Sequence, residues 1–356
     1  MRPNLLPVLL ACLMLCSCSH PAPAPTKTAA DTPVAVATPE PTLPPAPSPT
    51  PEPTPLPTPV PTPTPTPDPW AGKFHKGGAY VSVPDAAKGP WIYKDGTLSV
   101  EVKFTRGGEQ RRQCYIADIY TRGQLFFGGF ALQSDKGYKA ELPYRIARRY
   151  DAVLGITADY YNHKYNPKGI IIRGGKVYHD KKKAPTLAVM PDGELKAYEP
   201  GEVTAQQLLD MGVKDTFSFG PILVKDGKVP ANVKKHKLQN YGYRVAIGQI
   251  EKGHYIVVTT LGSFKLTQLA DMMAELGCTV AYNMDGGHST CMVFMGEQLN
   301  RQYEDSKIKG QRQRPLPDLV MLGVCPAVPD VKAKVYCDGI SVYPGNKPKP
   351  TEYIVQ

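Results

Sequence analysis

Apolar and polar positions divide the chain after about Trp70 into short strands with a few helices. Leu98-Ser99-Val100-Glu101-Val102-Lys103-Phe104-Thr105 alternates cleanly and predicts a half-buried strand. Ile222 to Val229 predicts a hairpin turning at Asp226-Gly227, and Gly169 to Tyr178 predicts another. Continuous apolar runs at Tyr255 to Leu261, Cys291 to Met295 and Leu319 to Leu322 predict buried strands. Two helices are expected. One runs from an N-cap at Thr204 through Leu208 and Leu209 to Met211, with Gly212 as its stop. The other runs from about Lys265 to Leu276. Leu266, Leu269, Ala270, Met273 and Leu276 keep helical spacing there, and Gly277 ends it. Strands outnumber helices and hairpins recur. The expected class is α+β, with a mixed, mainly antiparallel sheet core.

The N-terminal part follows different rules. Arg2 precedes an apolar run from Leu5 to Leu15, too short to span a bilayer but the length of a signal segment. Leu15-Cys16-Ser17-Cys18 resembles a bacterial lipobox, which makes residues 1–17 a lipoprotein signal and Cys18 the lipidated residue. An ordinary signal peptide cut near Ser19 is the alternative. One acyl chain anchors only marginally, and the resemblance implies several on Cys18. Between Pro21 and Pro69 lie 20 of the chain's 38 prolines, many as Thr-Pro repeats. Such a segment favours extended polyproline II. At ~3.1 Å per residue it reaches on the order of 150 Å. Residues 18–69 therefore read as an extracytoplasmic spacer. Residues 70–143 read as a β-rich N-terminal part of the folded domain, residues 144–325 as its main body, and residues 326–356 as a proline-rich tail. The expected location is the outer face of a cell membrane, held by the lipid anchor.

The formal charge of +10 is spread through the folded part. Nucleic acid is a poor partner for an exported chain. A glycan, an anionic wall polymer or a lipid surface fits better, and solubility alone explains the same charge. Of eight cysteines, Cys12, Cys16 and Cys18 belong to the signal region. Cys114, Cys278, Cys291, Cys325 and Cys337 remain, an odd number, with Cys325 and Cys337 placed for a local bridge. The seven histidines are scattered without HxH or HExxH spacing. Neither a metal nor a cofactor is called for, which counts against a metal-dependent phosphodiesterase.

Four polar segments sit at strand ends. Asn283-Met284-Asp285-Gly286-Gly287-His288-Ser289-Thr290 lies between two apolar strands. Its glycines allow a sharp turn whose N–H groups suit a phosphate nest, and Asn283, His288, Ser289 and Thr290 are candidate substrate contacts. A tight turn with an Asx cap is the plainer alternative. Thr157-Ala158-Asp159-Tyr160-Tyr161 ends another apolar strand, where Asp159 offers acid–base chemistry and Tyr160 a ring for a sugar face. A turn-forming Asp beside core tyrosines explains it equally. Arg244 opens the strand Tyr243 to Gln249, either as a bidentate phosphate clamp or in a structural ion pair. Ser218, in Phe217-Ser218-Phe219-Gly220-Pro221, is a ligand contact or a backbone cap.

Taken in order, these segments resemble the phosphodiester glycosidase family over roughly Tyr144 to Val324. The matching blocks are Ile156 to Tyr161, the Gly-Ile-Ile-Ile-Arg-Gly-Gly hairpin, Phe-Ser-Phe-Gly-Pro, Arg-Val-Ala-Ile-Gly, the helix before Gly277-Cys278, and Asn-Met-Asp-Gly-Gly-His-Ser-Thr. The family's mammalian member releases N-acetylglucosamine from a phosphodiester-linked mannose, and bacterial members are associated with exopolysaccharide. The resemblance implies hydrolysis of the glycosidic bond of a sugar-1-phosphodiester. Asp285 and Asp159, with His288, are then the candidate catalytic groups. Arg244, Asn283, Gly286, Gly287, Ser289, Thr290, Tyr160 and Ser218 are candidate substrate contacts. The chain departs from the family pattern at Thr157 and Ala158 (Asn-Gly in the family), at His288 (a third glycine), and at Leu261-Gly262-Ser263 (Asp-Gly-Arg). A glycopolymer-binding lipoprotein with little or no turnover is the alternative, and a purely structural surface protein a further one.

Overall fold

The computed structural model describes residues 68–84, 89–107, 111–131, 133–134, 137–138, 140–159, 168–300 and 314–325, with short strands at 336–337, 340–341 and 351–355. All lie in one compact unit, Pro65–Gln356. The signal segment with Cys18, the proline-rich spacer up to residue 67, and Tyr160 fall outside the described residues.

In chain order, the elements used below begin with β1 (Ala79–Val83), β2 (Trp91–Lys94), β3 (Leu98–Gly107), β4 (Arg112–Thr121) and β5 (Phe127–Phe130). Then come α1 (Pro143–Arg149), β6 (Ala152–Thr157), β7 (Ile170–Arg173), β8 (Lys176–Asp180), β9 (Thr186–Val189) and β10 (Leu195–Tyr198). They are followed by α2 (Ala205–Asp210), β11 (Asp215–Phe217), β12 (Ile222–Val224), β13 (Val245–Glu251), β14 (His254–Thr260) and α3 (Leu266–Glu275). The last are β15 (Val280–Asn283), β16 (Met292–Phe294), β17 (Glu297–Gln298), β18 (Asp318–Val324) and β19 (Thr351–Val355).

The largest sheet has nine strands in the order β12-β15-β13-β14-β4-β3-β2-β1-β19, and a second has five, β17-β16-β6-β18-β5. Every ladder among these strands is antiparallel. The α+β class therefore stands, with a core that is antiparallel rather than mixed among the described residues. The two sheets share a core. Val100, Val102, Tyr115, Ala117 and Ile119 from the large sheet meet Val153, Ile156, Met292, Phe294, Val320 and Leu322 from the smaller one. β3 and β4 bury alternate residues because only one face is covered. β13 and β14 are apolar on both faces because α3 lies across the other side. Leu266, Leu269, Ala270 and Met273 of α3 pack there on Ala246, Ile256 and Val258. Fully burying each large apolar side chain contributes roughly 1.5–3 kcal/mol, so α3 is held by packing more than by propensity.

Local signals act as read. Thr204 accepts from the Gln207 amide while the Gln207 side chain accepts from Thr204, a capping box that starts α2. Asp226 and Gly227 both have positive φ (51° and 71°), the tight turn expected of Asp-Gly, with the ladder closed by Lys225 and Lys228. Cys325 is a buried free thiol, as are Cys114, Cys278 and Cys291, while the side chain of Cys337, the other half of the expected bridge, falls outside the described residues. Among the described residues no helix is long and apolar enough to cross a membrane.

Candidate active site

Four strand ends converge. Asp285, just past β15, donates its amide to the Ala158 carbonyl, next to Asp159 at the end of β6 (3.2 Å). Gly287 donates to the Tyr243 carbonyl (2.9 Å), which seats the Asp-Gly-Gly turn beside Arg244 at the start of β13. Asn283 and Gly220 are joined twice. The Gly220 amide donates to the Asn283 backbone carbonyl (3.0 Å), and Asn283 Nδ2 donates to the Gly220 carbonyl (2.8 Å). The Ser218 amide, after β11, donates to Asp159 Oδ1 (2.6 Å). Asp159, Ser218, Asn283, Asp285, Gly286, Gly287 and Arg244 thus form one locale.

At its base is a buried charge cluster. Arg173, the last residue of β7, sends Nη2 to Asp159 Oδ2 and to Asp318 Oδ2, the latter at 2.9 Å. The side chains of Arg173, Asp159 and Asp318 are 4%, 0% and 1% exposed. Burial holds the Asp159 carboxyl well above the usual range. Arg173 pulls it down, the Asp318 carboxyl pushes it up, and the Ser218 amide pulls it down again. A second acid on the same guanidinium thus adds to burial in favouring a proton on Asp159. Arg173 and Asp318 escaped the sequence reading. Each has the signal that drew attention to Arg244, a charge at one end of an apolar strand.

Asp285 is set differently. Its Oδ1 accepts from the Gly286 amide (3.0 Å), and the residue is 8% exposed against 1% for Asp159. The turn after it is not the anion nest expected. The amides of Gly286, Gly287, Ser289 and Thr290 are bonded to Asp285 Oδ1, Tyr243 O, Gly286 O and Gly287 O. Donors turned onto the chain itself are not offered to a ligand. Thr157 fastens this loop from the other side, donating to the Ser289 carbonyl and accepting from the Cys291 amide. Two buried acceptors have no hydrogen-bond partner among the described residues, Asn283 Oδ1 and Ser289 Oγ. Thr290 is buried, and its carbonyl accepts from Asn300 Nδ2 (2.9 Å).

Arg244 is not a free bidentate clamp either. Its Nη2 donates to the carbonyls of Leu238 (2.7 Å) and Asn240 (2.6 Å), and its Nε to Phe264 O (3.4 Å). Nor is it in a structural ion pair: it pairs with no carboxylate among the described residues, and burial alone lowers its pKa. It is a buried positive charge held by backbone.

Next to it opens a cavity of about 160 Å³ lined by Lys168, Lys183, Pro185, Ser218 to Gly220, His236, Lys237 and Leu238. Ser218, Gly220 and Leu238 join this wall to Asp159, Asn283 and Arg244 through the bonds above. Burial, Lys237 and Arg244 lower the His236 pKa. Its Nδ1 accepts from the Leu238 amide (3.3 Å), which leaves the proton of the neutral ring on Nε2. Among the described residues no His/Cys/Asp/Glu group is arranged to hold a metal ion.

Residues 150–322 match the family model described as phosphodiester glycosidase. Residues 150–322 thus form a phosphodiester glycosidase-like domain. The catalytic domain of zebrafish N-acetylglucosamine-1-phosphodiester alpha-N-acetylglucosaminidase, auto-inhibited by its pro-peptide, shares the fold. It superposes with a TM-score of 0.54 at 16% identity, over 69% of this chain and 89% of that one. An SPbeta prophage-derived uncharacterized protein of Bacillus subtilis (strain 168), YomE, is 28% identical over 169 residues. The match covers 44% of this chain and only 26% of that relative's length.

Within the domain, His288 stands exposed on the one-turn helix Gly287–Ser289, pointing to no partner among the described residues. The sequence reading missed the lysine-lined cavity, because Lys168, Lys183 and Lys237 come from separate segments with no shared spacing.

Proposed function

We propose that the domain hydrolyses the C1–O bond of a sugar-1-phosphodiester in a cell-wall, capsular or exopolysaccharide glycan, with Asp285 as the reacting carboxylate. The observation that carries this is the contrast between the two acids. Both Asp159 oxygens are engaged, by Arg173 and the Ser218 amide, inside a closed cluster. Asp285 is the more exposed of the two, 8% against 1%, and lies two residues beyond Asn283, which is bonded to Gly220 in the wall of the cationic cavity. Cleavage at an anomeric carbon needs a carboxylate as nucleophile or as base for water. The leaving group is a phosphate, so a strong acid is less necessary than positive charge around the departing oxygens. Lys168, Lys183 and Lys237, with the buried charge of Arg244, supply that field. Asn283 Oδ1 accepts from a sugar hydroxyl. Asp159 is a positioning residue: it fixes Ser218, and through the Phe219-Gly220 turn the cavity wall. In the zebrafish structure the named reaction is that of an N-acetylglucosamine-1-phosphodiester, and the same bond type is proposed here. Lipidation at Cys18 would tether the domain outside the membrane, on the spacer of residues 18–69.

The test is release of free sugar from a chromogenic ester of α-N-acetylglucosamine 1-phosphate. Asp285→Asn should lower the rate by roughly a thousandfold, within the usual range for a reacting acid or base. Binding without release by the native chain would leave a glycopolymer-binding protein.

A further inference from the structure

Two lysine runs from distant parts of the chain meet at the cavity. Lys181-Lys182-Lys183 follows β8, and Lys234-Lys235-His236-Lys237 closes the short helix Ala231–Lys235. The lysines of both runs are exposed, and Lys183, His236 and Lys237 line the cavity itself. Lys182, Lys183, Lys234, Lys235 and Lys237 form no ion pair among the described residues. Of the neighbouring acids, Asp180 accepts from the Ala205 amide at 3.4 Å, and Glu199 reaches the helix Ala231–Lys235 at Asn232, accepting from its Nδ2 at 3.3 Å, without an ion pair to either lysine there. Concentrating like charge around a concavity is unfavourable unless an anion offsets it.

Size adds the second half of the argument. Whole small-molecule ligands usually occupy roughly 300–1,000 Å³, whereas this cavity holds about 160 Å³. It takes one unit of a substrate, and whatever continues from that unit runs across the exposed lysines. We propose that the substrate is a polymer carrying a phosphate in each repeat, with one repeat in the cavity and adjoining phosphates on Lys182, Lys234 and Lys235. This rests on the phosphodiester glycosidase reading. It places the reaction after the enzymes that join phosphate-linked repeats.

The experiment is calorimetric binding of poly(glycerol phosphate) to the full chain in detergent. That polymer has no glycosidic bond, so binding is read apart from turnover. The expected result is an affinity that falls steeply with added salt and weakens roughly tenfold or more in Lys234→Glu/Lys235→Glu. Lys182→Glu, on the other run, should weaken it separately. Asp285→Asn should still bind. Equal affinity in the native and reversed chains would overturn the proposal. So would equal binding of polygalacturonate, whose charges are carboxylates, or lysine-dependent binding to phosphatidylglycerol vesicles in place of the polymer. Sugar release from the simple ester without polymer binding would overturn this inference and leave the hydrolase reading standing. Lysine-dependent polymer binding without any sugar release would support the polymer and sink the hydrolase.

Discussion

Replacing Arg173 with Met should destabilise the domain in a pH-dependent way. Arg173 Nη2 bridges Asp159 and Asp318, and Nη1 donates to the carbonyls of Ile172 (3.0 Å) and Thr216. Methionine fills part of the volume but leaves two buried carboxyls without their shared cation. Breaking such a cluster by removing one partner costs about 3–5 kcal/mol, against a total stability of about 5–15 kcal/mol for a domain. The sign with pH follows from Asp159. Its folded pKa is raised, so the native state keeps a proton that the unfolded chain releases above about pH 4. Stability is therefore highest near or below that pH and falls as pH rises toward the folded value. Arg173 pulls that value down, so removing it widens the window and deepens the fall. Urea unfolding of both chains at about pH 5 and about pH 7.5 measures this. The variant should lose more at the higher pH, because a proton on Asp159 leaves less uncompensated buried charge at the lower one. A loss below about 1 kcal/mol, or the same loss at both pH values, would refute the reasoning.

Two further predictions come from the same geometry. A Cβ at Gly286 would lie 2.5 Å from the Tyr243 carbonyl oxygen and 3.5 Å from its carbon. These are backbone atoms that cannot swing aside, so Gly286→Ala should cost about 1–3 kcal/mol and reduce sugar release through the displaced turn, read by thermal melting beside kinetics. Burial pushes the thiols of Cys114, Cys278 and Cys291 up to about 12, so the native chain should resist thiol reagents at mildly alkaline pH and react only on unfolding, followed by chromogenic thiol titration.

Elements with local causes were legible in the sequence. α3 shows its buried face in its own spacing, α2 its capping box in Thr204 and Gln207, and the Asp226-Gly227 turn its two left-handed residues. α1 was not, since it is one short helix with Pro143, Ile146 and Ala147 as its buried face. The site was legible as residues and not as roles. Asp159 and Asp285 look alike in sequence, and the pairing of Asp159 with Arg173 and Asp318 separates them. The glycine turn and Arg244 have the composition of phosphate ligands. Where their N–H groups go is decided by Tyr243, Leu238, Asn240 and Phe264, which no local pattern reveals. Cation-lined walls built from residues 168, 183 and 237 exist only once β7 to β9 and β13 are folded together.

The central claim is that the carbon–oxygen bond at the anomeric centre breaks, and not the phosphorus–oxygen bond. Hydrolysis of a sugar-1-phosphodiester in water enriched in heavy oxygen tests it directly, with the label traced by mass spectrometry. The account predicts the label on C1 of the released sugar and none in the phosphate. Label in the phosphate would contradict it.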